Sequence, residues 1–360
     1  GFMYKKIVLD NGVRLVSEKI PYVRSVAIGI WIGTGSRNET VDNNGISHFI
    51  EHMMFKGTEK RSAKEIAESI DNIGGQLNAF TGKECTCFYA KILDTHIDTA
   101  VDILADMFFN SRFDEKDIGI ERKVIGEEID MYEDSPEELV HDVLSEVVWE
   151  GNPLGFPILG TDRSLSGISR ETIFKYMDES YTPNNTVISV AGNFDEENLQ
   201  KIVNRYFGSW KASGNKNTKP SAANFISGSK VKEKDTEQVH ICFGFNGIEN
   251  GSDELYTLLA LNNVFGGGMS SRLFQKIREE KGLAYSIYSY PSSYRNEGLF
   301  TIYAGMNPEQ LSVVANMICD EIKTLIKDGI SSDELEKSKE QLKGSYILGL
   351  ESTSSRMNSI

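Results

Sequence analysis

The feature that most restricts the fold is an internal echo. Phe88-Tyr89-Ala90 leads into helical patterns at 95–109 and 114–132, and Ile302-Tyr303-Ala304 leads into helical patterns at 308–327 and 332–350. Asp114-Glu115, at the head of one of these helices, recurs as Asp333-Glu334. A repeated order of elements on this scale reads as a tandem duplication of one structural unit. Residues 1–212 form the expected first domain and 231–360 the second; 213–230, rich in Lys, Asn, Ser, Gly and Ala, form the expected linker. In the first copy the pattern runs on past Tyr132 to Trp210, whereas the second stops at Ile360, so the second domain is expected to be truncated. At 360 residues the chain is long for one domain and sufficient for two cores.

Within the first copy, the turn pair Asn11-Gly12 between 5–9 and 13–19 predicts a β-hairpin, and Ser25–Ile32 a third strand. A helix is expected over 44–55. The next starts at Ser62, with Glu65 three residues on as a capping box, and stops at Gly74-Gly75. Strands at Gln76–Thr81 and 85–92 precede helices near 95–109, 114–132 and 136–149; a strand at 187–191 and a helix at Glu196–Phe207 complete the copy. Strands and helices out of βαβ order predict an α+β chain of two homologous α/β-sandwich domains.

Composition narrows the partners. A net charge of −15 argues against a nucleic-acid backbone, which wants a basic field, and is compatible with cationic ligands such as basic peptides. No run approaches the roughly 18 apolar residues of a membrane helix, and the first ten residues lack a signal-peptide core. Cys85, Cys87, Cys242 and Cys319 form no CxxC pair; they read as core residues of a protein in a reducing compartment, here the cytoplasm.

The chemistry is concentrated in residues 45–58, GISHFIEHMMFKGT. Ile46, Phe49, Ile50, Met53 and Met54 fall on one helical stripe, and His48, Glu51, His52 and Phe55 on a second. A helix apolar over so much of its surface is buried, and its two imidazoles and carboxylate then need partners, because a buried unpaired charge is very costly. A divalent metal satisfies all three. His48 and His52 stand at i and i+4, one turn apart on one face, and Glu51 can reach a metal-bound water from the same side. This H-x-x-E-H order marks inverzincins. The alternative is a pair of core histidines satisfied by backbone carbonyls.

A catalytic zinc site wants three protein ligands and one open position. The acidic helix at 114–132 is the natural source of the third. Glu121 and Glu128, seven apart, share one face there, while Glu127 points elsewhere; spacing alone leaves Glu121 and Glu128 equal candidates. With two imidazoles and one carboxylate the ion keeps a net positive charge, which lowers the pKa of its water toward about 7. Glu51 then has the position of a general base.

GISHFIEHMMFKGT, followed by GGQLNAFTGKECTCFYA at 74–90 and ERKVIGEEIDMYEDSP at 121–136, resembles the pitrilysin/insulinase family of zinc peptidases, in particular its short branch of the mitochondrial-processing-peptidase type. The resemblance covers nearly the whole chain. It implies one Zn²⁺ per chain held by His48, His52 and Glu128, with Glu51 as the base and Glu121 as an outer carboxylate that supports the site. It also implies that Asn78, Ala79 and Phe80 lie on an edge strand that accepts an extended peptide by strand addition. Arg278 and Tyr285 match a pair that the family's second domain contributes to substrate binding, and Glu138 and Asp142 resemble an acidic pair that receives arginine near the cleavage point. Read without the resemblance, Arg278 is a solvated helix charge, Tyr285 a core residue, and Glu138 an acid favoured by the helix dipole.

Gly266-Gly267-Gly268 is no phosphate loop, since no Gly-Lys-Ser/Thr follows. By the resemblance it is the glycine-rich loop that handles substrate in processing peptidases, where a catalytic and a non-catalytic subunit usually divide the labour. This chain carries both the metal motif and the loop, which favours a self-sufficient homodimer. The region of the second copy that answers to the metal motif reads ELYTLLALNNVFGGG and lacks H-x-x-E-H. The expected activity is endopeptidase cleavage of extended peptides or presequence-like segments, with a preference for basic residues near the cut. The rival class is a metal-containing peptide-binding subunit without turnover.

Overall fold

The computed structural model describes residues 3–211 and 219–350. Residues 212–218, which contain part of the expected linker, and 351–360, where the expected second domain stops, lie outside the described residues; 219–238 contain no helix or strand.

Two compact units divide the chain, one built on residues up to Ile129 and from Phe156 to Pro220, the other on Asp130–Gly155 and Ser221–Ile347. The first unit holds strands β1 (Met3–Val8), β2 (Arg14–Lys19) and β3 (Ser25–Ile32), helices α1 (Ile46–Met53) and α2 (Ala63–Asp71), and strands β4 (Gln76–Thr81) and β5 (Thr86–Leu93). Helices α3 (Ile97–Asn110) and α4 (Glu115–Glu133) follow. After α5 (Pro136–Val148), which belongs to the second unit, come α6 (Asp162–Ser166), α7 (Arg170–Ser180), strand β6 (Thr186–Gly192) and helix α8 (Glu196–Phe207). The sheet order is β1-β2-β6-β3-β5-β4, so β4 is an edge strand with one side unpaired within this sheet.

Burial explains the layering. On β3, Val26, Ile28, Ile30 and Ile32 enter the main core with Phe49, Ile50 and Met53 of α1, while Ala27 packs with Ala191 beside Trp31 and Tyr89 on the opposite face. A central strand covered on both faces reads as a near-continuous apolar run, as SVAIGIWI does. Helix α1 packs against β4 and β5, and α3 against β5 and α8.

The second unit contains β7 (Val239–Asn246), α9 (Glu254–Phe265), a π-helical stretch at Phe274–Glu279, β8 (Ser286–Ser293), β9 (Gly298–Met306), α10 (Leu311–Asp328) and α11 (Ser332–Leu350). Its sheet order is β7-β9-β8, all antiparallel. This reproduces β3-β5-β4, with Ile302-Tyr303-Ala304 on β9 where Phe88-Tyr89-Ala90 lie on β5. The duplication expected from the sequence is therefore present as a repeated strand order. Helix α5 packs on β7, where the ring nitrogens of His141 meet the hydroxyls of Tyr288 and Tyr290. Cys87 is buried as expected, but Cys319 is exposed on α10 and is not a core residue: Val314 and Ile318 supply that helix's buried face.

Candidate metal centre

Helix α1 is preceded by its N-cap Gly45, whose φ of +97° places it in the left-handed region and whose missing Cβ leaves room for the Leu159 carbonyl oxygen, 2.7 Å from where that carbon would sit. No local side chain caps the helix. The cap comes instead from the buried carboxylate of Glu39, which accepts the N–H of Gly45 at 2.8 Å, the N–H of Ser47 at 2.9 Å and the Asn44 amide at 3.1 Å. Two orphan donors of the first turn are thereby satisfied, and the helix start is fixed immediately before His48.

From the face of α1 turned away from the core, His48, Glu51 and His52 meet α4. Glu128 Oε1 lies 3.3 Å from His52 Nε2, and its other oxygen lies 3.8 Å from His48 Nε2. Donor atoms of His48, His52 and Glu128 all fall within 4.8 Å of one another, and among the described residues no other set of three His, Cys, Asp or Glu donors comes so close. A tetrahedral ion bound at about 2.0–2.2 Å sets its donors roughly 3.3–3.6 Å apart, a range that the His52–Glu128 separation meets and the His48–Glu128 separation slightly exceeds. Glu51 Oε2 stands 3.5 Å from His48 Nε2, beside this donor set.

Glu121 takes a different place from Glu128. Its Oε2 lies 2.9 Å from His52 Nδ1, which leaves Nε2 as the ring nitrogen facing Glu128, and its Oε1 lies 2.7 Å from Lys56 Nζ. The two carboxylates that sequence spacing leaves equivalent are thus separated by geometry, one among the inward-facing donors and one behind a histidine. His48 Nδ1 is buried and has no hydrogen-bond partner among the described residues.

The electrostatics suit a metal site. Burial, and then the charge of His52, pushes His48 down to about 4, which leaves its imidazole neutral and free to donate a lone pair at neutral pH. Burial raises the Glu51 carboxyl to about 7; the charge of His52 opposes this and that of Glu128 adds to it. Burial also acts to raise Glu121, but the hydrogen bonds and charges of Lys56 and His52 outweigh it and hold that carboxyl below its usual range.

The remaining expected residues fall into two groups. Asn78, Ala79 and Phe80 lie on β4, the edge strand against which α1 packs. Phe80 is 36% exposed and makes an edge contact with Trp31 at 5.5 Å. Glu138 and Asp142 lie on α5, and Arg278 and Tyr285 in the second repeat, all within the second unit. Glu138 is exposed, and the Asp142 and Glu138 charges help burial to push the Tyr132 hydroxyl up to about 12. Arg278 sits with its guanidinium over the Phe274 ring at 4.7 Å. Tyr285, read in isolation as core, is 56% exposed, and its hydroxyl donates to Asn307 at 3.4 Å. Sequence reasoning missed Glu39 and Lys56. Lys56 could have been found at i+4 from His52, whereas Glu39 acts across a loop and carries no periodic signal.

Comparison with known proteins supplies the family. Residues 14–162 match the insulinase domain of peptidase family M16, and residues 167–342 match the domain described as the peptidase M16 inactive domain. The chain is 54% identical over 356 residues to the uncharacterized zinc protease YmxG of Bacillus subtilis, covering 99% of this chain and 87% of that one. It is 40% identical over 363 residues to an uncharacterized zinc protease of Streptomyces coelicolor, covering 99% and 79%. A crystal structure of a protease from Helicobacter pylori shares the fold, with a TM-score of 0.90 at 23% identity over 98% of this chain and 87% of that one. The chain belongs to the insulinase family, peptidase family M16.

Proposed function

We propose that this chain is a zinc-dependent endopeptidase in which His48, His52 and Glu128 hold one zinc ion and Glu51 is the general base. The observation that carries the reading is the convergence of the His48, His52 and Glu128 donor atoms within 4.8 Å, with the Glu51 carboxylate beside them. When bound there, zinc supplies a Lewis acid that polarises a carbonyl and makes water acidic. Glu51, raised to about 7 by burial, takes a proton at its carboxylate and returns it to the leaving amine near neutral pH. Glu121 orients His52, and Lys56 steadies Glu121.

The open edge of β4 orients the substrate. An extended peptide adds to it as a further strand through Asn78, Ala79 and Phe80, with the Phe80 ring lining the pocket next to the cut. Glu138 and Asp142 attract a basic side chain, and Arg278 and Tyr285 bind the peptide from the second repeat. Extended peptides and presequence-like segments are the substrates we assign, and a homodimer is the assembly, with sedimentation of the full chain as its test.

The deciding experiment incubates a mixed peptide library with the zinc-loaded full chain and with its Glu51→Gln variant, and reads products by mass spectrometry. Internal cuts made by the parent alone are expected, enriched beside Arg or Lys. No cut from either protein, with zinc bound in both, would overturn the endopeptidase reading in favour of a peptide-binding subunit. Equal cutting beside basic and neutral residues would remove the role given to Glu138 and Asp142.

A further inference from the structure

We propose that Lys56 is a positioning residue that sets the affinity of the metal centre, acting on His52 through Glu121. The proposal rests on the reading that His48, His52 and Glu128 hold the zinc.

Three observations carry it. First, the Glu121 carboxylate is 3% exposed and its two oxygens are divided between two partners, Oε1 with Lys56 Nζ at 2.7 Å and Oε2 with His52 Nδ1 at 2.9 Å. A carboxylate bridged in this way has its plane and rotation fixed from both ends. Without Lys56, one buried oxygen loses its partner and the group is free to turn away from the imidazole. Second, Glu121 is the side chain that meets His52 Nδ1, whereas the corresponding nitrogen of His48 has no partner among the described residues. Of the two histidines, His52 is therefore the one whose ring a side chain orients, and the outer nitrogen of a ligating histidine governs both ring orientation and basicity. Third, Lys56 is anchored where it must be. It follows α1 by one short turn, its N–H donates to the Met53 carbonyl at 3.1 Å, and the next residue, Gly57, turns at φ +123° to begin the Thr58–Arg61 loop. One stretch of backbone thus carries two histidines and the ammonium that steadies the carboxylate behind one of them. The lysine side chain keeps 39% exposure, so its charge remains hydrated while it holds a buried anion.

Zinc affinity measured by competition with a chromophoric chelator tests this in the full chain, independently of peptide turnover. Lys56→Met is expected to weaken zinc binding about 10-fold, within the range seen when an outer-shell partner is lost, and Lys56→Arg to restore it to within about threefold. In a Glu121→Gln background, Lys56→Met should produce no further loss, because the lysine acts through that carboxylate. Circular dichroism of the metal-free variants separates misfolding from loss of affinity. A folded Lys56→Met protein that binds zinc within about threefold of the parent would overturn the proposal, as would an equal loss in the Glu121→Gln background. A parent chain that binds zinc no better than its His48→Ala variant would instead overturn the ligand assignment, and the two failures are distinguishable.

Discussion

Glu39 Oε2 accepts the backbone N–H of Ser47 at 2.9 Å, so a carboxylate seven residues before the start of α1 holds the backbone one residue ahead of His48. The other oxygen takes the N–H of Gly45 at 2.8 Å. Glu39 is 2% exposed, so bulk solvent does not reach it. Glu39→Ala should destabilise the metal-free protein by roughly 2–3 kcal/mol, since it strands buried donors, and Glu39→Gln should do so by less because one acceptor survives. Urea unfolding followed by circular dichroism measures both; a loss below roughly 0.5 kcal/mol for the alanine variant would show that another group caps this helix.

The open edge of β4 makes a second expectation. Ala79, on the edge strand β4, donates its N–H to the Asn78 side-chain oxygen at 2.8 Å. Proline is tolerated on an edge strand where the N–H faces outward, so Ala79→Pro should leave the fold and the zinc content intact. It removes a donor that strand addition would use. Cleavage of an extended peptide should then fall about 10-fold in kcat/KM, corresponding to roughly 1.4 kcal/mol for one lost hydrogen bond. Unchanged kinetics would mean that the peptide does not pair with β4 at Ala79.

How far the sequence reached depended on whether a relationship was local. His48, Glu51 and His52 share one helix face, so their convergence follows from helical geometry alone, and the structure adds only the burial. Glu121 and Glu128 also share a face, yet their roles depend on how far α4 slides along α1, and no spacing within α4 encodes that offset. Only the family resemblance distinguishes them by role; in the structure Glu128 faces both inward nitrogens while Glu121 meets the outer nitrogen of His52. Glu39 was invisible because its partners lie across a loop. Helix α7 was overlooked although Ser169 and Thr172 form a capping box, because the sequence of its first turn carries Thr where Glu or Gln usually stands. The repeat was legible in Phe88-Tyr89-Ala90 and Ile302-Tyr303-Ala304, but the grouping of Asp130–Gly155 with the second repeat depends on tertiary packing of α5 on β7.

In the second unit, Arg272 donates to both oxygens of Glu334, at 2.7 and 2.8 Å, and Ser331 N–H adds a bond at 3.0 Å. These hold the Glu334 carboxyl at about 2, below its ordinary 4.5. A carboxyl depressed on folding stabilises the protein fully above its unfolded value, and that contribution is lost as pH falls toward the folded one. The window therefore runs from about pH 4.5 down to about 2. Glu334→Gln should cost roughly 1 kcal/mol near neutral pH, after allowance for partial solvent screening, and the difference from the parent should shrink steadily below pH 4.5. Urea unfolding of both proteins across this range measures it. A difference that stays constant with pH would show that Glu334 acts by packing, not by charge.

Metal linkage separates the ligands from the base. A ligand that binds the folded chain and not the unfolded one stabilises it by about 2.7 kcal/mol at a free concentration near 100 times Kd. Thermal unfolding of the metal-free chain should therefore move upward on addition of zinc. His48→Ala, His52→Ala and Glu128→Ala should each abolish most of this shift, because each removes one donor from a set whose members lie within 4.8 Å. Glu51→Gln should retain it, since Glu51 stands beside the donor set as the proposed base and not within it. The same Glu51→Gln protein should be slower in peptide cleavage by roughly 10²–10⁴-fold, the contribution of general acid–base catalysis. Loss of the zinc-induced shift in Glu51→Gln would make Glu51 a ligand, and the base would then have to be sought elsewhere. A full shift in Glu128→Ala would return the third position to Glu121, although that carboxylate already holds His52 and Lys56.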